Sequence, residues 1–104
     1  MTKGYWIARV DVSDMDAYKN YVTVNAKPLL EFGGRFLTRG GAFEAVEGAA
    51  RQRNVVIEFP SYEAALACYK SAEYSAAKAI RKEGSEGELV IVEGYDGPQP
   101  GDAA

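Results

Sequence analysis

The chain contains no histidine and a single cysteine, Cys68, among its 104 residues. Without histidine there is no imidazole general base, no Ser-His or Cys-His nucleophile and no proximal haem ligand. One cysteine excludes an internal disulfide, an iron–sulfur cluster and a tetrahedral thiolate zinc site. A metal would have to be held by oxygen alone, and no spaced carboxylate loop is present to hold one, so no metal site is expected. Every apolar run falls short of the ~20 residues that a membrane-spanning helix needs. None precedes Tyr5 as the core of an export signal. Basic residues number 12 against 15 acidic, a net charge of −3. The clustered positive surface that nucleic acid requires is therefore not expected, and anionic membranes are disfavoured for the same reason. No glycine-rich turn opens a helix after a strand, so no dinucleotide cofactor is expected either. These absences describe a cytoplasmic protein with no cofactor, no nucleic-acid partner and no membrane partner.

What is present is patterned. Tyr5 to Val12 alternates and is rich in aromatic and β-branched residues, which predicts a strand. Ser13 is the expected cap of a helix, with Asp16 in its first turn. Met15, Tyr18, Val22, Leu29 and Phe32 recur at helical spacing, with Asn25 in the middle of the stripe. That helix should end near Glu31, be kinked or broken at Pro28, and stop at Gly33-Gly34. Arg35 to Arg39 reads as a second strand, ended or bulged by Gly40-Gly41, with a short extension over Ala42 to Glu47. Val55 to Phe59 is nearly all apolar and is expected at the centre of the sheet. Ser61 caps a second helix, which Ser71 restarts or kinks and Gly84 ends. Glu88 to Glu93 is the last strand.

The order β-α-β-β-α-β is that of the ferredoxin-like split βαβ unit, an α+β fold with a four-stranded antiparallel sheet. The domain is expected over residues 1–96, with 97–104 a mobile tail rich in glycine and proline. Two helices cover one face of such a sheet. Here the strands are apolar on both faces, as Trp6, Ala8 and Val10 alternate with Tyr5 and Ile7. A lone subunit would expose more apolar surface than soluble monomers usually do. The expectation is a homodimer, one copy covering the other sheet to sheet; covering loops are the alternative.

The motifs Tyr18-x-x-Tyr21, Gly33-Gly34-Arg35, Arg39-Gly40-Gly41, Glu47-Gly48, Arg53-x-Val55-Val56-Ile57-Glu58-Phe59-Pro60-Ser61, Tyr69-x-Ser71-x-Glu73-Tyr74 and Glu93-Gly94 occur in this order. With them the chain resembles the uncharacterised bacterial family of domain of unknown function 1330, in the dimeric α+β barrel superfamily, over about residues 5–95. The chain departs from that family at Cys68, where a tryptophan is frequent, and at Ala72, where a proline is. The resemblance implies a ferredoxin-like protomer and a barrel closed by two copies. It also implies kinship with cofactor-free monooxygenases, lactone isomerases and haem enzymes, the last disfavoured by the missing histidine.

Seven residues could carry chemistry. Arg39, at a strand end before two glycines, can hold a carboxylate or phosphate with its fork, or pair with Glu47 or Glu58. Arg53 could complete a cationic pocket with Arg39, or sit on the surface. Glu58 interrupts an apolar strand; facing a barrel interior it would be a general base, and otherwise a buried glutamate neutralised by Arg9 or Arg39, or one facing solvent at the sheet's edge. Tyr18, Tyr69 and Tyr74, with Tyr21, can orient or protonate an aromatic or enolate substrate, or simply fill the core. The functional expectation is a protein that binds or transforms a small anionic, aromatic molecule without cofactor: Arg39, Arg53, Tyr69 and Tyr74 bind it, and Glu58 and Tyr18 move protons. The alternative is a non-catalytic dimerisation or regulatory module.

Overall fold

In the computed structural model, which describes residues 2–102, the chain runs β1 (Gly4–Val12), α1 (Met15–Glu31), β2 (Arg35–Arg39), β3 (Arg53–Phe59), α2 (Tyr62–Lys70), α3 (Ala72–Gly84) and β4 (Ser85–Glu93). Met1 and residues 103–104, the extremities of the expected domain and tail, lie outside the described residues. The strands form one antiparallel sheet in the order β2-β3-β1-β4, the ferredoxin-like arrangement. The second helical stretch is two helices, so the element order is β-α-β-β-α-α-β. Ser71 divides them. Its backbone is extended, and its hydroxyl accepts from the Tyr74 N–H at 3.1 Å, which starts α3 anew.

Helix α1 is capped by Asp14 rather than the expected Ser13. The Asp14 Oδ1 accepts from the Asp16 and Ala17 N–H groups at 3.0 and 3.2 Å. A carboxylate at this position also meets the positive end of the helix dipole, which a serine cannot. Ser13 instead donates its N–H to the Gly84 carbonyl at the end of α3. The break expected at Pro28 does not appear; the helix continues to Glu31 with Pro28 buried. It ends at Gly33, whose φ of 78° is the left-handed cap conformation that glycine adopts without a steric penalty.

The core lies between one sheet face and the helices. Trp6, Val10, Val55, Ile57 and Phe59 come from β1 and β3, and Tyr18, Tyr21, Leu29, Ala65, Cys68, Tyr74 and Ala77 from the helices. Met15, expected on the apolar stripe, is half exposed. Trp6 is the hub: its ring centroid lies 4.7 Å from Tyr74 and 5.1 Å from Phe59, and its Nε1 donates to the Ala65 carbonyl at 2.9 Å. Burying such rings supplies much of the drive to fold.

The other sheet face carries no helix. Tyr5 pairs with Glu58 and Val92, and Ile7 with Val56 and Val90, so an apolar band crosses the sheet there. Ile7, Val90, Val92 and Leu37 are exposed on the described chain.

Two irregularities position the site described below. The first is a β-bulge in β2. Phe36 pairs with Ile57, but Thr38 pairs with Val56 and Arg39 with Val55. Because side chains alternate, one extra residue turns everything after it to the other face. Arg39 therefore shares the helix-covered face with Val55; an unbulged strand would have aimed it at the open face. The second is the connection over residues 40–52, which contains no strand, so the extension expected at Ala42 to Glu47 is absent. Its end is fixed by Arg51. The guanidinium grips Glu88 through Nε and Nη2, at 2.9 and 3.0 Å, and Asp11 through Nη1, at 2.9 Å.

Candidate functional site

A cleft opens between the covered sheet face and helices α1 and α3. Its floor is Trp6, Ala8, Val10, Phe36, Val55, Ile57 and Leu89, and its walls include Tyr18, Tyr21, Val22 and Asn25. Three arginines reach it from three elements: Arg39 from β2, Arg53 from β3 and Arg81 from α3. The cleft has about 470 Å³ of empty space, a figure that includes its opening to solvent.

Each guanidinium lies over an aromatic ring. Arg39 Cζ is 4.0 Å from the Phe36 centroid, Arg53 Cζ 5.2 Å from that of Tyr18, and Arg81 Cζ 5.7 Å from that of Tyr21. For Arg53 and Arg81, which are half-buried, these contacts recover part of the cost of burial. None of the three makes an ion pair among the described residues, and no aspartate or glutamate lines the cleft. The Arg53 Nε is buried with no hydrogen-bond partner among the described residues. Asn25, only 5% exposed, also lines the cleft. Buried polar groups are ordinarily paired, so an unpaired nitrogen in this hollow marks a place where something else supplies the partner.

Gly40 completes the arrangement. It has φ 73°, and a Cβ there would stand 2.7 Å from Arg53 Nη1. A glycine at the end of β2 thus makes both the turn and the space in which the Arg53 guanidinium lies.

Beneath the cleft runs a hydrogen-bonded chain. Arg81 Nη1 donates to the Tyr74 hydroxyl at 3.0 Å, and the Tyr74 and Tyr21 hydroxyls are 2.8 Å apart. Burial pushes the Tyr74 hydroxyl pKa far up, with the neighbouring Tyr21 adding to the rise and the Arg81 charge opposing it, so Tyr74 stays a neutral phenol.

Of the seven residues singled out in the sequence, Tyr18, Tyr21, Arg39 and Arg53 line this cleft together. Tyr74 lies fully buried behind it, linked through Tyr21. Tyr69 is elsewhere: its hydroxyl accepts from Lys78 Nζ at 3.1 Å, a bond that lowers its pKa. Glu58 does not share the cleft. It is on the open sheet face, where it accepts from the Tyr5 hydroxyl at 3.3 Å; desolvation and the Glu58 charge both raise the Tyr5 pKa. Cys68 is buried, its thiol pushed up to about 12 by burial, with Glu31 and Glu73 adding to the rise, so at neutral pH it is not a nucleophile.

Arg81 and Asn25 complete the cleft. The spacing Tyr74, Ala77, Arg81 places the arginine on the buried face of α3, and Asn25 interrupts the stripe of α1. A polar residue at a core position was the available signal in each case.

Comparison with known proteins agrees with the architecture. The model of the family described as domain of unknown function (DUF1330) matches residues 3–95, and the chain belongs to that family. Among proteins of curated function none matches. Solved structures share the fold. The RPA0582 protein of unknown function from Rhodopseudomonas palustris has a TM-score of 0.75 at 14% identity, over 92% of this chain and 85% of its own. SnoaB, a cofactor-independent oxygenase from Streptomyces nogalater, has a TM-score of 0.61 at 11% identity, over 95% of this chain and 96% of its own. A conserved protein of unknown function from Bacteroides thetaiotaomicron, described as a possible oxidoreductase, has a TM-score of 0.57 at 21% identity, over 88% and 97%.

Proposed function

We propose that this DUF1330 protein binds a small anionic aromatic molecule in the cleft beneath Arg39, Arg53 and Arg81, and acts on it without a cofactor. The observation that carries this reading is the arginine triad with no carboxylate to neutralise it. Three like charges around one apolar hollow repel one another, and an anionic ligand with an aromatic body satisfies both the charge and the floor. Arg39 and Arg53 grip the anionic end, Trp6 and Phe36 meet the ring, and the Tyr18 hydroxyl stands beside it to orient a substrate or pass it a proton. The presence of a cofactor-independent oxygenase among the fold relatives supports chemistry that needs no resident group.

A second copy is proposed to cover the open face, supported by the exposed band of Ile7, Val90 and Val92. A base role for Glu58 belongs to that seam, because within one subunit it has no cleft to serve.

The test uses Trp6, the only tryptophan and part of the cleft floor. Benzoate should quench its fluorescence saturably, and R39A should weaken that binding by about tenfold or more, the loss of a charge-assisted hydrogen bond. No quenching by benzoate, or equal affinity in R39A, would refute the proposal.

A further inference from the structure

We propose that Tyr21 is the cleft's neutral hydrogen-bond donor to the ligand's anionic oxygen, and that Arg81 and Tyr74 are positioning residues that turn its proton toward the cleft. This rests on the anion-binding reading above and adds the group that selects the ligand's acceptor atom.

Each hydroxyl in the chain has one proton to place. An arginine donates and cannot accept. Arg81 Nη1 is 3.0 Å from the Tyr74 oxygen, so that oxygen accepts. Tyr74 is fully buried and must still place its own proton. Its only other partner among the described residues is the Tyr21 oxygen at 2.8 Å. If Tyr21 donated to Tyr74 instead, the Tyr74 proton would be stranded in the core, at a cost comparable to any unmade buried hydrogen bond. The satisfied arrangement therefore runs Arg81 to Tyr74 to Tyr21. It leaves the Tyr21 proton as the free end. Tyr21 lines the cleft and Tyr74 does not. Each donation polarises the next, so the terminal phenol is a stronger donor than an isolated one. A ligand oxygen gripped by the arginines would accept this proton, while a group with no lone pair there would leave it unmet. Selection follows for ligands whose acceptor, a carboxylate or phenolate oxygen, points into the tyrosine wall.

The test is a double-mutant cycle on benzoate affinity, read by Trp6 fluorescence, with thermal unfolding as the control for folding. Y21F should weaken benzoate binding about tenfold. Y74F should weaken it by a smaller factor, and should have no effect in the Y21F background, because Tyr74 acts only through Tyr21. A merely structural Tyr74 would give the same loss in both backgrounds, and that result overturns the proposal. So does wild-type affinity in Y21F, which leaves the arginine reading standing. If wild type itself does not bind benzoate, the arginine reading falls and takes this one with it. Should Y21F not fold, wild-type protein labelled at tyrosine Cζ decides the matter: benzoate should move the Tyr21 resonance, and an unmoved one overturns the assignment.

Discussion

Replacing Arg53 with methionine should stabilise the protein and disable the cleft at once. The Nε of Arg53 is buried without a partner among the described residues, and such a group costs about 1–3 kcal/mol relative to leaving it in water. Methionine keeps the apolar stem and removes the orphaned donor. Lost in exchange is the contact with the Tyr18 ring at 5.2 Å, worth ~0.5–1 kcal/mol at a partly exposed site. Repulsion from Arg39 and Arg81 also disappears, but solvent at the cleft mouth screens it and it is left uncounted. The balance is a gain of about 1 kcal/mol, equivalent to a rise in Tm of roughly 4–8 °C for a domain of this size. Over the same substitution benzoate affinity should fall about tenfold or more, since a hydrogen bond to a charged group contributes ~1.5–3 kcal/mol. Urea and thermal unfolding at one protein concentration, with Trp6 titrations alongside, measure both. The opposite signs are the diagnostic. A variant that loses stability and keeps its affinity would mean that Arg53 is a structural fastener, and the reasoning from its unpaired nitrogen would be wrong.

Light scattering behind size exclusion should give about twice the chain mass of 11.3 kDa, and a clean monomer would remove the second copy from the open face. G40A forces a left-handed φ on a residue with a side chain, a cost of ~1–2 kcal/mol, and drives its Cβ into the Arg53 guanidinium, so both Tm and benzoate affinity should drop; retained affinity would show that Arg53 does not need that space. Glu88 is held below the ordinary carboxylate pKa by the Arg51 bonds, so its contribution is full above the unfolded value and fades as pH falls through the depressed folded one; the acid-side loss of urea stability should be shallower in R51Q, and an identical pH profile would exclude the clamp from the folding balance.

How far the sequence reaches depends on whether a feature is local. Strands β1 and β3 and the run of α1 are written in periodicity and were legible, as were the caps at Ser61 and Ser71. The cap falls at Asp14, one residue beyond the expected Ser13, because both side chains are capable and nothing local separates them; the Gly84 carbonyl, far along the chain, takes the N–H of both. Arg39 could be placed at a strand end but not on a face, since the face depends on a bulge that no alternation pattern announces. For Glu58, periodicity favours the solvent-facing alternative over the barrel interior. With Val55, Ile57 and Phe59 all buried, period two alone sets residues 56 and 58 on the opposite side. The Tyr21–Tyr74 bond joins residues 53 apart, and nothing in either segment foretells it.

Two sets of arginines in this one small protein are treated in opposite ways. Acidic residues outnumber basic ones, 15 to 12, so carboxylates are not scarce. Where an arginine fastens the fold, the chain supplies them: Arg51 has Glu88 in a two-point grip and Asp11 on its remaining nitrogen. Around the cleft the opposite holds. Arg39, Arg53 and Arg81 come from β2, β3 and α3, and none is given a carboxylate among the described residues. One is turned inward by a bulge and another is seated against a glycine that leaves it room. Folding alone would favour pairing these cations or replacing them with apolar residues. A cluster kept unpaired at a cost to stability, backed by aromatic rings and open to solvent, has the form of a site whose missing negative charge arrives with the ligand.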